Sequence, residues 1–314
     1  MFAHFMHTTT DKVALANEWA KEVNKRTNGK VKLVVYPGGT IIPVAQTYDG
    51  VTNGIADIGY GIFTHHRGRF SLTEVIDLPL GYKSGYYATK LANEYYKKFK
   101  LKELDDVKVM YLDAHGPGFI HTRKSVTKVE DLKGMKIRAS GLSAKVVSAL
   151  GASSVSLPII ETYDALTKGV AEGISNNDEG ITTWSLGDVV KYHIRNWGSS
   201  YTSAFYTFMN KQKWDSLPKD VQQTIEKINE EWIEKAAVMW EKGEEVARER
   251  LREKGNHFVE LSKEEDARWA GVVKQILEDY VEMAKGKGLP GEEALKFCKD
   301  YLSKYDQVDS SKKK

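Results

Sequence analysis

The sequence predicts an α/β protein of two lobes, each a mixed sheet flanked by helices, with one long helix across both lobes. Three observations predict it. Strands alternate with amphipathic helices, the alternation stops and restarts near residue 116, and 314 residues exceed what one hydrophobic core usually organises.

The first lobe opens with a strand, "FAHFM" (2–6). From Asp11, the residues Val13, Ala16, Trp19, Ala20 and Val23 recur at helical spacing until Asn28-Gly29 stops them. "VKLVVY" (31–36) alternates as a strand, "PGG" turns, 43–53 reads as a helix ended by Asn53-Gly54, and "ADIGY" (56–60) is a buried strand. A helix at about 84–98 and the strand "VKVMYL" (107–112) extend this lobe.

After His115-Gly116-Pro117-Gly118, strands at 119–122, 135–139, 154–157 and 173–176 alternate with helices at 143–150, 161–169 and 178–190. The aromatic, extended stretch 199–211 reads as a crossover strand returning to the first lobe. From Lys219 to about Lys254, Glu, Lys and Ala dominate, with Val221, Ile225, Ile228, Trp232, Ala236 and Trp240 at helical spacing, and such a helix needs a long surface. Helices at about 262–286 and 291–305 finish the chain. Lobe I is expected at 1–115 plus about 205–245, and lobe II at 116–204 plus about 246–314.

Composition narrows the function. With 46 Lys+Arg against 43 Asp+Glu the net charge is +3, too small for a nucleic-acid or membrane footprint, and Lys312-Lys313-Lys314 confines a basic run to the tail. Cys298 is the only cysteine, so no internal disulfide and no Cys-x-x-Cys site exists. No run of 18 apolar residues occurs, so no membrane insertion is expected. "MFAHFMHTTTDK" lacks the features of a secretory signal, which leaves either a cytosolic chain or one whose signal has been removed.

Catalytic motifs are weak. Ser-x-x-Lys occurs at Ser125–Lys128 and at Ser216–Lys219, where Ser216 and Pro218 are better explained as a helix start, Gly59-Tyr60-Gly61 lacks the third glycine of a dinucleotide loop, and no His-x-x-x-His lies on a helix. No cofactor and no metal site are expected.

The informative stretch is "EDLKGMKIRASG" (130–141). Alternation along its strand sends Met135 and Ile137 one way and Lys136 and Arg138 the other, so Arg138 either lies on a solvated face or aims its planar fork at an anion from the carboxyl end of the strand. Ser175-Asn176-Asn177 leaves another strand at its carboxyl end, before a helix carrying Trp184, so Asn176 is either a helix N-cap or a ligand contact. The loop "YGIFTHHRGRF" (60–70) leaves the first lobe in the same sense, and a cleft between the lobes would be lined from both sides. For Tyr60 and Trp184 the alternative is core packing.

"VEDLKGMKIRASG", "ALGASSVSLPIIETYDALTKGVAEGISNN", "FMNKQKWDSLPKDVQQTI", "WAKEVNKRTNGKVKLVVYPGGTI" and "GVTNGIADIGYG" together resemble the solute-binding proteins of tripartite ATP-independent periplasmic (TRAP) transporters, in order from about Asn17 to Ile225. The resemblance implies a two-lobe periplasmic-binding-protein fold, a periplasmic location after removal of a signal peptide, and capture of a small organic acid by lobe closure for delivery to the TRAP membrane permease. It implies that Arg138 pairs with the ligand carboxylate and that Asn176 is a second polar contact.

The chain departs from the family pattern where many members carry a second arginine near position 118. Here that strand reads Gly118-Phe119-Ile120-His121, and His121 is kept as a candidate contact. With Tyr60, Phe63, Trp184, Phe205 and Tyr206 as candidate walls, the expected ligand is a monocarboxylate with an apolar, aromatic or hydroxylated remainder. The protein is expected to be monomeric and not an enzyme. The competing readings are an α/β enzyme acting on an organic acid, with His65, His66 or His115 as general base, and a scaffold protein with the same fold and no permease.

Overall fold

The computed structural model describes residues 1–66 and 68–312, with side chains through Tyr305. Arg67 of the 60–70 loop and the tail residues Lys313 and Lys314 lie outside the described residues. In chain order the elements are β1 (Phe2–His4), α1 (Asp11–Arg26), β2 (Val35–Tyr36), α2 (Thr47–Thr52), β3 (Ile58–Ile62), α3 (Gly85–Phe99), β4 (Val107–Ala114), β5 (Phe119–Thr122), β6 (Lys136–Arg138) and α4 (Leu142–Ala149). They continue as β7 (Ser153–Val155), α5 (Thr162–Thr167), β8 (Gly173–Asn176), α6 (Asp178–Thr183), β9 (Tyr192–Arg195), β10 (Ala204–Asn210), α7 (Lys211–Asp215), α8 (Lys219–Glu253), β11 (His257–Glu260), α9 (Lys263–Gly286) and α10 (Gly291–Lys312).

These elements form two compact units. The first comprises Met1–Thr73, Thr89–Ala114 and Ser203–Met239, and the second Glu74–Ala88, His115–Thr202 and Trp240–Lys314. The sheet of the first unit runs β2-β1-β3-β10-β4, with β1 parallel to β2 and β3, and β10 antiparallel to β3 and β4. That of the second runs β11-β9-β5-β8-β6-β7, with β5 antiparallel to both β8 and β9 and the pairs β6–β7, β6–β8 and β9–β11 parallel. Both sheets are mixed.

Sequence and structure agree most closely in the helices. Thr10 caps α1 by accepting from Val13 N, and the apolar stripe Val13, Ala16, Trp19, Ala20, Val23 is buried. Asn28 and Gly29 then take left-handed backbone angles that end the helix. Every member of the α8 stripe from Val221 to Trp240 is buried. This helix supplies residues to both units, through Met239 to the first and from Trp240 to the second. Buried indoles find acceptors: Trp19 Nε1 donates to Asn229 Oδ1 at 2.9 Å, and Trp232 Nε1 to the Leu15 carbonyl at 3.1 Å.

The strands differ more. β2 is only Val35–Tyr36, because its partner β1 is three residues long and the alternate residues of this edge strand face solvent. The segment expected as one helix over 178–190 is broken: α6 ends at Thr183, and Ser185 sits in the left-handed region. β9 and β11 follow where no strand was expected. Both mix aromatic and charged residues, which hides the apolar alternation a strand normally shows.

Candidate functional site

Arg138 ends β6, and Ser175 and Asn176 end the parallel neighbour β8, so the two carboxyl ends open on the same side of the second unit's sheet. Lys136 is exposed, whereas Arg138 retains only 7% of its accessible surface, so the solvated-face reading of Arg138 is excluded. Its Nε and Nη2 both donate to the Leu157 carbonyl, at 3.1 and 2.9 Å. No carboxylate pairs with this guanidinium among the described residues. Burial pulls its pKa below the ordinary guanidinium value, and the nearby Tyr201 works against that shift.

Tyr201 completes this end of the sheet. It pairs with Gly118 through an antiparallel bridge, in which Gly118 N donates to the Tyr201 carbonyl at 2.7 Å. A Cβ at Gly118 would come within 2.4 Å of the Tyr201 ring, so only glycine leaves the ring its place. Ser175 Oγ donates to the Tyr201 hydroxyl at 3.0 Å. Burial pushes the phenol pKa up, and hydrogen bonds to Ser175 and Ser143 together with the Arg138 charge partly offset it. A buried cation thus stands among neutral hydroxyls.

Asn176 is half-buried, and its side-chain amide makes no hydrogen bond among the described residues. The helix N-cap is Asn177, not Asn176. Asn177 Nδ2 instead donates to Glu244 Oε1, and Glu179 N donates to Glu244 Oε2 at 3.3 Å. Complete burial, the adjacent Asp178 and, more weakly, Glu179 push the Glu244 carboxyl up to about 8. Asp178, also fully buried, takes two hydrogen bonds of 2.9 Å from Arg195, whose guanidinium lies 4.5 Å from the ring centroids of both Phe119 and Phe258. Burial would raise the Asp178 carboxyl, and the paired guanidinium outweighs it, holding the pKa below its ordinary value.

His121 does not offer itself to a ligand. Its Nε2 stands 2.9 Å from the Asn176 carbonyl and its Nδ1 2.7 Å from His193 Nδ1, so both ring nitrogens are engaged within the protein. His121, Asp178 and His193 present ligand atoms within 4.8 Å of one another, which proximity alone would let hold a metal. Arg195, bound to both Asp178 oxygens, already supplies the positive charge there.

The aromatic candidates separate. In the first unit, Tyr60 stacks on His4 at 4.3 Å and on Phe205 at 5.7 Å, beside Phe5, while its hydroxyl donates to Asp113 Oδ1 at 2.9 Å. Phe63 and Tyr206 belong to a different cluster with Phe70 and Phe208, where Phe63 meets the other rings edge to face, Tyr206 stacks on Phe208 at 4.1 Å and His66 Nε2 lies 3.0 Å from the Tyr206 hydroxyl. Adjacent residues of a strand face opposite sides, so Phe205 and Tyr206 cannot line one wall, and all four of Tyr60, Phe63, Phe205 and Tyr206 are buried. Trp184 in the second unit packs on the aliphatic cluster of Leu166, Ile174, Ile181 and Leu251. His115, a base in the enzyme reading, is buried, with Nδ1 against the Gly116 carbonyl.

Sequence reading did not identify Tyr201, Glu244 or the Arg195–Asp178 pair. Tyr201 lay within a stretch read only as a crossover, and its one signal was the neighbouring departure at Gly118. Buried Asp, Glu and Arg look like surface residues until the fold closes over them.

Residues 2–283 match the family described as bacterial extracellular solute-binding protein, family 7. The chain belongs to this family. It is 26% identical over 294 residues to the C4-dicarboxylate-binding periplasmic protein DctP of Rhodobacter capsulatus, covering 90% of this chain and 86% of that one. A TRAP periplasmic solute binding protein from Desulfovibrio salexigens superposes with a TM-score of 0.89 at 30% identity, covering 97% of this chain and 95% of that one. A marine metagenome TRAP solute binding protein specific for aromatic acid ligands, solved with metahydroxyphenylacetate, superposes with a TM-score of 0.90 at 28% identity, covering 97% and 98%. The family 7 protein is therefore a periplasmic TRAP solute receptor with the two-lobe fold, and its family and fold are those of transport receptors, not of enzymes. No helix among the described residues is long and apolar enough to cross a membrane.

Proposed function

We propose that this receptor captures a small organic monocarboxylate whose remainder is aromatic or hydroxylated, and delivers it as a monomer to the membrane subunits of a TRAP transporter. Arg138 pairs with the carboxylate and the free amide of Asn176 supplies a second contact. Tyr60 and Phe205 are contacts for the ring, and capture proceeds by lobe closure. The observation that carries this is the buried Arg138 guanidinium, 7% exposed and lacking a carboxylate partner among the described residues. A buried charge is costly unless paired, and a planar fork with one edge on Leu157 presents its remaining donors to a planar anion.

One cation flanked by the neutral Ser175 and Tyr201 matches one negative charge. A relative binds C4-dicarboxylates and a neighbouring structure holds an aromatic acid, and the single guanidinium favours the second class. Calorimetric titration with 3-hydroxyphenylacetate, benzoate, mandelate and succinate tests this. Binding of one or more aromatic acids with at least tenfold preference over succinate is expected, and a preference for succinate would overturn the reading.

A further inference from the structure

The environment of His121 and His193 fixes where each proton sits. A carbonyl oxygen only accepts, so at 2.9 Å from the Asn176 carbonyl His121 Nε2 carries its proton, and in a neutral ring His121 Nδ1 is then an acceptor. His193 Nδ1, 2.7 Å away, must donate to it. A neutral His193 is left with Nε2 as an acceptor, needing a donor from Asn256, whose amide lies 3.1 Å away. With Oδ1 against His193, Asn256 Nδ2 is buried and has no hydrogen-bond partner. A half-turn of the amide brings Nδ2 onto His193, pairing that donor with the imidazole acceptor and leaving in its former place only the carbonyl oxygen Oδ1. The alternative, a doubly protonated His193, puts a cation in a fully buried spot and leaves Nδ2 orphaned.

We propose that Asn256, His193 and His121 form a neutral, one-directional hydrogen-bond chain that runs from the turn after α8 through β9 and β5 to the Asn176 carbonyl, making His121, His193 and Asn256 positioning residues for the ligand-contacting Asn176. The chain bonds the main chain of Asn176 at the end of β8 and leaves the side-chain amide to the ligand. The side chains of Asn256, His193 and His121 are all buried, where hydrogen bonds polarise one another. The charged groups facing it are Asp178 on α6, Arg195 on β9 and Lys191 before it, with Arg248 and Glu244 on α8 acting on Asp178. Asp178 and Arg195 balance each other. Burial pushes the His121 and His193 imidazoles down to about 3 and about 4, in keeping with a pair that stays neutral.

Only the role assigned to Asn176 rests on the proposed ligand site, and a ligand-free measurement separates the two. Long-range ¹⁵N–¹H spectra of the intact protein should show His121 with Nε2–H and His193 with Nδ1–H, unchanged between pH 5 and 8, and a trans-hydrogen-bond coupling from His121 Nε2 to the Asn176 carbonyl carbon. In Asn256→Asp an acceptor replaces the donor, so His193 should hold protons on both nitrogens at pH 5, and the Asn176 carbonyl signal should move with the same midpoint as His193. A proton on wild-type His193 Nε2, or a pair that titrates between pH 5 and 8, would overturn the chain's direction. Loss of the coupling would overturn the positioning role. Zinc(II) that shifts both imidazoles and raises the melting temperature would reassign the trio with Asp178 as a metal site. The wild-type spectra decide even where Asn256→Asp fails to fold.

Discussion

Arg195 grips Asp178 through two parallel hydrogen bonds of 2.9 Å, with side chains 3% and 0% exposed. Breaking such a pair strands a buried charge, so Asp178→Asn or Arg195→Met alone should destabilise the protein by about 3–5 kcal/mol in urea melts, while the double replacement costs less than the sum. The folded Asp178 pKa is depressed, so the unfolded state binds the proton more readily. The stability of the pair is present above the unfolded carboxyl value and is lost as pH falls through the folded one, on the acid side of about pH 4. A pair whose single variants melt like wild type would contradict this.

Glu244 carries the opposite sign. Its carboxyl is held protonated in the fold up to about pH 8, whereas the unfolded chain releases that proton near the ordinary carboxyl value. The folded state then binds more protons, and stability falls between about pH 5 and 8 with a slope of at most about 1.4 kcal/mol per pH unit. Glu244→Gln should flatten that slope when melts are compared across this range. An unchanged slope would show that Glu244 is already ionised.

For Arg138, Arg138→Ala should weaken ligand by about 2–5 kcal/mol, roughly 30-fold or more, because a desolvated carboxylate loses its partner. Arg138→Lys should recover part of this, since an ammonium lacks the planar fork. Stability of the ligand-free protein should follow differently. Arg138 is buried and without a counter-charge, so Arg138→Met removes a desolvated cation at the cost of the bonds to Leu157, and its urea midpoint should match or exceed wild type. Calorimetry and ligand-free melts decide both points, and undiminished binding by the alanine variant would remove Arg138 from the site.

Ligand should compact the protein if capture proceeds by closure of the two lobes. Small-angle scattering with and without a bound aromatic acid measures this, and equal radii of gyration would reject closure as the mode of capture.

Much of the architecture was legible because helices advertise themselves. The stripes of α1 and α8 follow the helical period over several turns, and the Asn28-Gly29 stop has a local cause. β9 and β11 were not legible, since His193, Arg195 and His257 read as surface residues although His193 and Arg195 are buried in the sheet. In the proposed site, residue type at a strand end singled out Arg138 and Asn176, whose place at the carboxyl ends of β6 and β8 the structure shares. What could not be read was which side each aromatic faces. Phe205 and Tyr206 are equally aromatic, and only the register of β10 against β3 sends them to different clusters. The internal engagement of His121 was hidden for a similar reason: its partners His193 and Asn176 are 72 and 55 residues away.

The contact between Gly118 and Tyr201 ties two positions together in any altered version of this protein. A side chain introduced at 118 meets the Tyr201 ring, so a cation cannot be grafted there in one step. Shortening residue 201 first vacates the space but strips Ser175 of its partner. In the proposed site, a second cation at 118 therefore requires a compound exchange, and homologues should show positions 118 and 201 changing together.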